Sequence, residues 1–308
     1  MNEPQVTTQL PPSFPAFDKN RVQDEYGTPP LENGDRLTSD EFRRRYEAMP
    51  DVEKAELLKG VVYLSTPNLP EHHCPPGCAA HADDVSPLEN GDRLDSDEFM
   101  RRYDAMPELK KAELIHGKVY MGSPVKTRHS EPHGSAMGWL VVYSAATPGT
   151  AHADNSTLRF DKQHTPQPDA LLRVRNEYGG NAFVDEEDYL CGAPELVVEI
   201  SASSVSYDLH DKKETYIRFG IQEYVVWRTL DHALDWFRLE GNAYVKVEPD
   251  ANGIIESSVF PGLRLNVAAL LAGDMATVLA ELQRGIASPA HAAFVGQLAQ
   301  RKQQLTTN

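Results

Sequence analysis

The chain has 308 residues, 40% hydrophobic and 25% charged, as in a soluble globular protein with room for one large domain or two small ones. Three cysteines (Cys74, Cys78 and Cys191) are too few for a disulfide framework, and no apolar stretch is long enough to span a bilayer. Thirty Lys and Arg against 46 Asp and Glu give a net charge of −16, which argues against tight autonomous binding to nucleic acid through a basic surface.

The opening MNEPQVTTQLPPSFPAF has neither the basic start nor the apolar core of a secretory leader, so a cytoplasmic protein is expected. Residues 1–28 are expected to be disordered. The segment PLENGDRLTSDEFRRRYEAMPDVEKAELLKGVVY (30–63) then recurs as PLENGDRLDSDEFMRRYDAMPELKKAELIHGKVY (87–120), with 25 of 34 positions identical. Two copies are too few for a solenoid, and such high identity reads as a recent tandem duplication. Only the second copy continues into a domain. The chain therefore divides into a partial duplicate (29–67), a linker loop (68–86), a main domain (87–266) and a helical tail (267–308).

In the second copy Ser96 is expected to cap a helix through DEFMRRYDAMP, with Phe99, Tyr103 and Met106 on one face. Pro107 ends it, and KAELIHGKVYMG reads as a hairpin turning near Gly117. A helix is expected from about Pro132 through HGSAMGWLVVYSAA, then short strands at NSTLRF and QPDALLRV. PELVVEISA (194–202) has the apolar run of a buried central strand. YDLHDKKETYIRFG reads as an amphipathic helix ending at Gly220, EYVVWRTL as another buried strand, and ALDWFRL with AYVKVEP as an antiparallel pair. The tail from Val267 is helical in pattern. This order predicts a mixed α/β sheet flanked by helices.

Three residues of this plan carry chemistry. Asp169 follows Pro168 at a strand start, Glu199 lies near the end of the next buried strand, and Lys212 sits on the helix that follows. Two carboxylates converging at one sheet end can hold Mg²⁺ with water completing its oxygen shell. A nearby lysine can orient water or stabilise charge on phosphorus. Such a set suffices for phosphodiester hydrolysis. Taken singly, Asp169 is ordinary turn chemistry and Lys212 an ordinary helix lysine; Glu199, inside an apolar run, is harder to dismiss because an unpaired buried charge is expensive.

PQPDALL, APELVVEISASS and YDLHDKKETYIRFGIQEYVVW together resemble the Uma-two-type restriction endonuclease family of the PD-(D/E)xK nuclease superfamily. The resemblance runs from about Leu94 to about Leu265, with Asp208, Lys212, Tyr216, Gly220, Ile221, Glu223 and Tyr224 at matching positions. It implies a restriction-endonuclease-like fold acting on DNA, with Asp169 and Glu199 as metal ligands for Mg²⁺ (or Mn²⁺) and Lys212 as the catalytic lysine. Glu113 matches a recurrent family glutamate and is implied as a third carboxylate of the site. The superfamily's lysine usually stands two residues after the Glu. Here that position is Ser201, and the lysine has migrated to the next helix. Where the family usually has Trp directly after the Tyr, this chain has Val225-Val226-Trp227.

Other clusters have blander readings. His129 and His133 either approach the site or cap the helix they precede. His72, His73, Cys74, Cys78 and His81 are zinc-type ligands whose spacing fits no standard zinc site. Trp139, Trp227 and Trp236 are assigned to the core. Glu56, the duplicate of Glu113, is given no catalytic role because no PD strand follows it. A homodimer is expected, since two sites are needed to cut two strands. The rival reading, which the acidity and the duplication both suit, is an inactive nuclease-fold protein acting as a binding or regulatory module.

Overall fold

The computed structural model describes residues 85–122, 125–202 and 204–307, with 31, 35–47, 55–58 and 60–64 of the first repeat. The segment 1–28 and the His/Cys cluster of 72–81 lie outside the described residues. In the first repeat, α1 (Ser39–Glu47) precedes the hairpin β1 (Ala55–Leu58) and β2 (Val61–Leu64). The second repeats the order with α2 (Ser96–Asp104), β3 (Ala112–Ile115) and β4 (Lys118–Met121). There follow α3 (Thr127–Ala146), β5 (Thr150–Asp154), β6 (Leu158–Arg159), β7 (Ala170–Val174), β8 (Phe183–Val184), β9 (Leu190–Cys191) and β10 (Leu196–Ser201). Helix α4 comprises Val205–Tyr207, a π-helical turn Asp208–Lys212, and Lys213–Arg218. Strands β11 (Glu223–Arg228), β12 (Ala233–Glu240), β13 (Ala243–Val247), β14 (Ile254–Glu256) and β15 (Arg264–Asn266) lead to α5 (Val267–Leu271), α6 (Met275–Ile286) and α7 (Pro289–Thr307).

The mixed α/β architecture is as expected. The main sheet has the order β13-β12-β11-β10-β7-β5, with β10 parallel to β11 and antiparallel to β7. All six residues of β10 are buried, as its apolar run requires of a central strand. Alternation along the strands sorts side chains between two faces. Leu196, Val198 and Ile200 join Trp139, Leu140 and Tyr143 of α3 and Val278, Leu282, Phe294 and Leu298 of the tail helices. Val197, Leu171, Tyr224 and Val226 pack on the opposite face with Tyr216 of α4. All three tryptophans are buried, as expected of core residues.

Several local expectations shift. The cap of α2 is Asp95, whose carboxylate accepts from Glu98 N at 2.9 Å. Ser96 instead faces inward, with its N–H on Lys162 O (2.7 Å) and its hydroxyl on Thr165 Oγ1 (2.9 Å). Helix α3 starts at Thr127 and contains Pro132, whose missing N–H costs the helix an i→i−4 bond. The strand expected at NSTLRF is only Leu158–Arg159. Strand β5, carrying TAHAD, escaped the reading because its alternation of small and polar residues gives little hydropathic signal.

The second repeat is fastened by backbone bonds between Leu114 and Thr165 in both directions (3.0 and 2.6 Å) and from Gly117 N to Gln163 O (2.8 Å). The hairpin turn uses His116 at φ 52° and Gly117 at φ 69°, the left-handed pair that a two-residue turn needs.

Away from the polar face, Glu223 is fully buried at the start of β11. It accepts from Ser257 Oγ (2.5 Å), Ser258 N (2.8 Å) and Ser258 Oγ (2.9 Å). Burial pushes its carboxyl above the ordinary 4.5, against the pull of these bonds. A carboxyl raised in the fold binds its proton more tightly there than in the unfolded chain. Its contribution to stability is therefore full below pH 4.5 and fades as the pH rises through the folded value. Glu223→Gln keeps an acceptor for Ser258 N and should flatten the fall in Tm above pH 4.5 relative to wild type, as read by calorimetry across pH 4 to 8.

Candidate active site

Strand pleat and register bring the carboxylates together. Asp169 lies one step past the Val198↔Ala170 pair, opposite Glu199, and both residues share the α4 side of the sheet. The main-chain N–H of Ile200 donates to Asp169 Oδ2 at 2.8 Å, tying the aspartate to the strand that carries Glu199. Glu113 comes in from β3, its Oε1 accepting from Gln167 N at 2.7 Å. Helix α4 closes the pocket with Asp208 and Lys212, one π turn apart. Single π turns within helices recur at functional sites.

Lys212 is the centre of the cluster. Its Nζ lies 2.9 Å from Glu113 Oε1, 2.9 Å from Glu199 Oε1 and 3.8 Å from Asp208 Oδ1. Glu199 Oε1 also accepts from Tyr216 OH at 2.8 Å. Burial alone would lower the ammonium's pKa, but Glu113, Glu199 and Asp208 raise it well above the ordinary lysine value. The structure thus brings Lys212, Glu113 and Glu199 into direct contact. Ser201, two residues after Glu199, bonds Asp208 through its hydroxyl, and Ser204 Oγ adds a bond of 2.7 Å. That position now anchors the helix that carries the lysine.

Asp169 is held by a second group. Lys111 Nζ is 2.8 Å from Oδ1 and His129 Nε2 is 3.1 Å from Oδ2. Against the upward push of burial, the Lys111 ammonium and the His129 hydrogen bond keep the Asp169 carboxyl well below the usual carboxylate range. His133 Nε2 meets Asp169 O (2.8 Å) and Asp154 Oδ1 (3.0 Å). Both are acceptors, so Nε2 carries the proton. The two histidines therefore line the site; they do not cap α3, whose N-cap is Lys126. Nδ1 of His129 is buried and has no hydrogen-bond partner among the described residues. Sequence reasoning passed over Lys111, although it stands two residues before Glu113, the spacing that puts two strand residues on one face.

Residues 96–268 match the model of the Uma2 family, whose description is "Putative restriction endonuclease". The chain belongs to the Uma2 family. A solved structure from Anabaena variabilis ATCC 29413, described as a "putative nuclease belonging to DUF820", is similar with a TM-score of 0.45 and 16% identity. The match covers 57% of this chain and 96% of that one. No functionally curated protein matches the chain.

The donor chemistry of this Uma2 pocket suits a hard divalent cation. Four buried carboxyl groups (Glu113, Asp169, Glu199 and Asp208) face two ammonium groups, those of Lys111 and Lys212. Burial pushes the Glu199 carboxyl up to about 8 despite Lys212, with the charges of Asp169 and Asp208 adding to the rise. The pocket is therefore short of positive charge. Among the described residues no three His, Cys, Asp or Glu side chains form a cage by themselves. Mg²⁺ does not need one, since it commonly takes one or two carboxylates and keeps water or phosphate on the remaining positions.

Removing Lys212 takes away the cation shared by the buried Glu113, Glu199 and Asp208 side chains. Lys212→Met should lower the unfolding free energy by about 3–5 kcal/mol at neutral pH, measured by urea denaturation. A loss below about 1 kcal/mol would mean that water reaches the cluster and screens it.

Proposed function

We propose that this protein is a Mg²⁺-dependent endonuclease that hydrolyses phosphodiester bonds in DNA, with Asp169 and Glu199 holding the ion. The observation that carries this reading is the convergence of these two carboxylates at one sheet end, in a buried pocket with two more acids than bases. Family membership supplies the substrate class. When bound, the ion polarises a phosphoryl oxygen and acidifies the attacking water.

The chain's own residues have separate tasks. Ile200 N–H and His129 aim Asp169, while Tyr216 and Lys212 aim Glu199. Fixed carboxylates need no reorganisation when charge builds up on phosphorus. In hydrolysis a water oxygen bonds to phosphorus, one P–O ester bond breaks, and the departing oxygen takes up a proton. The overall charge of −16 disfavours a broad DNA-binding surface. Beside Lys111 and His129 in the sequence, however, Lys110 and Lys126 are exposed and Arg128 is half-buried. A homodimer, with one site for each strand, is part of the proposal.

The test is nicking of supercoiled plasmid at low salt by the full-length protein with Mg²⁺, Mn²⁺ or EDTA. Metal-dependent nicking is expected, with Asp169→Asn and Glu199→Gln each reducing it by at least about 10²-fold. If the folded protein leaves the plasmid intact under every metal, the rival reading of an inactive binding module takes its place. Nicking that survives both substitutions would put the chemistry elsewhere.

A further inference from the structure

Two lysines reach the carboxylates of the pocket, and their surroundings differ. The side chain of Lys212 is 3% exposed and that of Lys111 is 26% exposed. The Lys212 ammonium has three N–H groups and three carboxylate neighbours, Glu113, Glu199 and Asp208, and it lies 5.3 Å from the centre of the Tyr207 ring. Turning it toward a substrate would leave three buried acids unpaired. Among the described residues Lys111 has one carboxylate contact, Asp169 Oδ1. If Lys111 moves away, Asp169 is still held at Oδ2 by His129 and by Ile200 N–H.

We propose that Lys111 is the lysine that meets the scissile phosphate, while Lys212 is a buried strut that positions Glu113 and Glu199. The proposal rests on the nuclease reading and reassigns one role within it. While His129 and Ile200 N–H keep hold of Asp169, the ammonium of a partly exposed lysine side chain can pass from a carboxylate oxygen to a non-bridging phosphate oxygen. Both are anionic oxygens, and lysine binds phosphate as a mobile point charge. No covalent bond to Lys111 is involved. Lys111 is a catalytic residue in the strict sense, because it touches substrate, whereas Lys212 acts only through the groups it holds. Gly122 N–H donates to Lys111 O at 2.9 Å and Leu114 is bonded to Thr165 in both directions, so the backbone that carries Lys111 stays in place while its side chain turns.

The experiment compares full-length wild type, Lys111→Met, Lys111→Arg and Lys212→Met. Thermal melting is measured first. Binding of a fluorescent DNA duplex in EDTA is then followed by anisotropy over a range of salt, and Mg²⁺-dependent plasmid nicking comes last. Lys111→Met should melt within about 3 °C of wild type, because Asp169 keeps its two donors at Oδ2. Its Kd for the duplex should rise about tenfold, the slope of log K against log salt should fall by about one, and nicking should fall about 10²–10³-fold. Lys111→Arg keeps the charge and should recover most of the binding. Lys212→Met should melt well below wild type, or fail to fold, and any folded fraction should keep the wild-type salt slope. If wild type binds and cuts while Lys111→Met keeps the wild-type Kd, slope and nicking rate, the assignment to Lys111 is overturned and the nuclease reading stands. A Lys111→Met protein that melts as low as Lys212→Met also overturns it, since Lys111 would then be structural. A wild type that neither binds nor cuts DNA overturns both.

Discussion

The Lys212 ammonium, buried among Glu113, Glu199 and Asp208, ties together parts of the chain that are far apart in sequence. Glu113 belongs to the hairpin of the second repeat, Glu199 to the central strand, and Asp208 and Lys212 to the helix beyond it. None of these groups can be buried alone without a large penalty, because a charge taken out of water needs a partner close by. The hairpin, strand and helix are therefore mutually conditional. The π turn, the Ser201–Asp208 hydrogen bond and the Tyr216–Glu199 bond all adjust the helix to this one contact.

The sheet makes that cluster possible by dividing the work between its faces. One face is apolar except for buried Glu223, is covered by α3 and the tail helices, and supplies the hydrophobic burial expected to dominate stability. The other face has an apolar half under Tyr216, Ile221 and Tyr224 and a polar half at the end where Asp169 and Glu199 stand. Val278, Leu282, Phe294 and Leu298 place the tail helices in the same core as β10. The surplus of acid over base can thus be tolerated at the site because packing elsewhere is dense.

The two repeats show how context assigns a role to nearly identical sequence. In the second, Arg102 pairs with Glu98 and Asp92; in the first, Arg45 pairs with Glu41 and Asp35. The local fold is the same. The second copy, however, lies against residues 162–165 and inserts Glu113 beside Lys212. Arg36 of the first copy reaches Asp211, the neighbour of Lys212, at 3.0 Å from outside the pocket. Position 100 marks the difference: buried Met100 in the second copy corresponds to exposed Arg43 in the first.

What the sequence determined by itself was local and periodic. The apolar run of 196–201, the 3.6-residue pattern ending at Gly220, the left-handed turn before Lys118 and the duplication all follow from side-chain chemistry over short distances. Glu199 stood out because a carboxylate inside a buried strand calls for a partner, whereas Asp169 and Lys212 stood out only through the resemblance carried by the combined motifs. Which partner it finds is a tertiary matter. The pairing of Lys111 with Asp169 spans 58 residues, that of His129 with Asp169 spans 40, and neither carries a local signal. Only the sheet register, which sets Asp169 opposite Glu199, and the docking of the second hairpin decided which lysine is sealed in and which is partly exposed. Those choices depend on how separate elements exclude water from one another, and that is settled only when they pack.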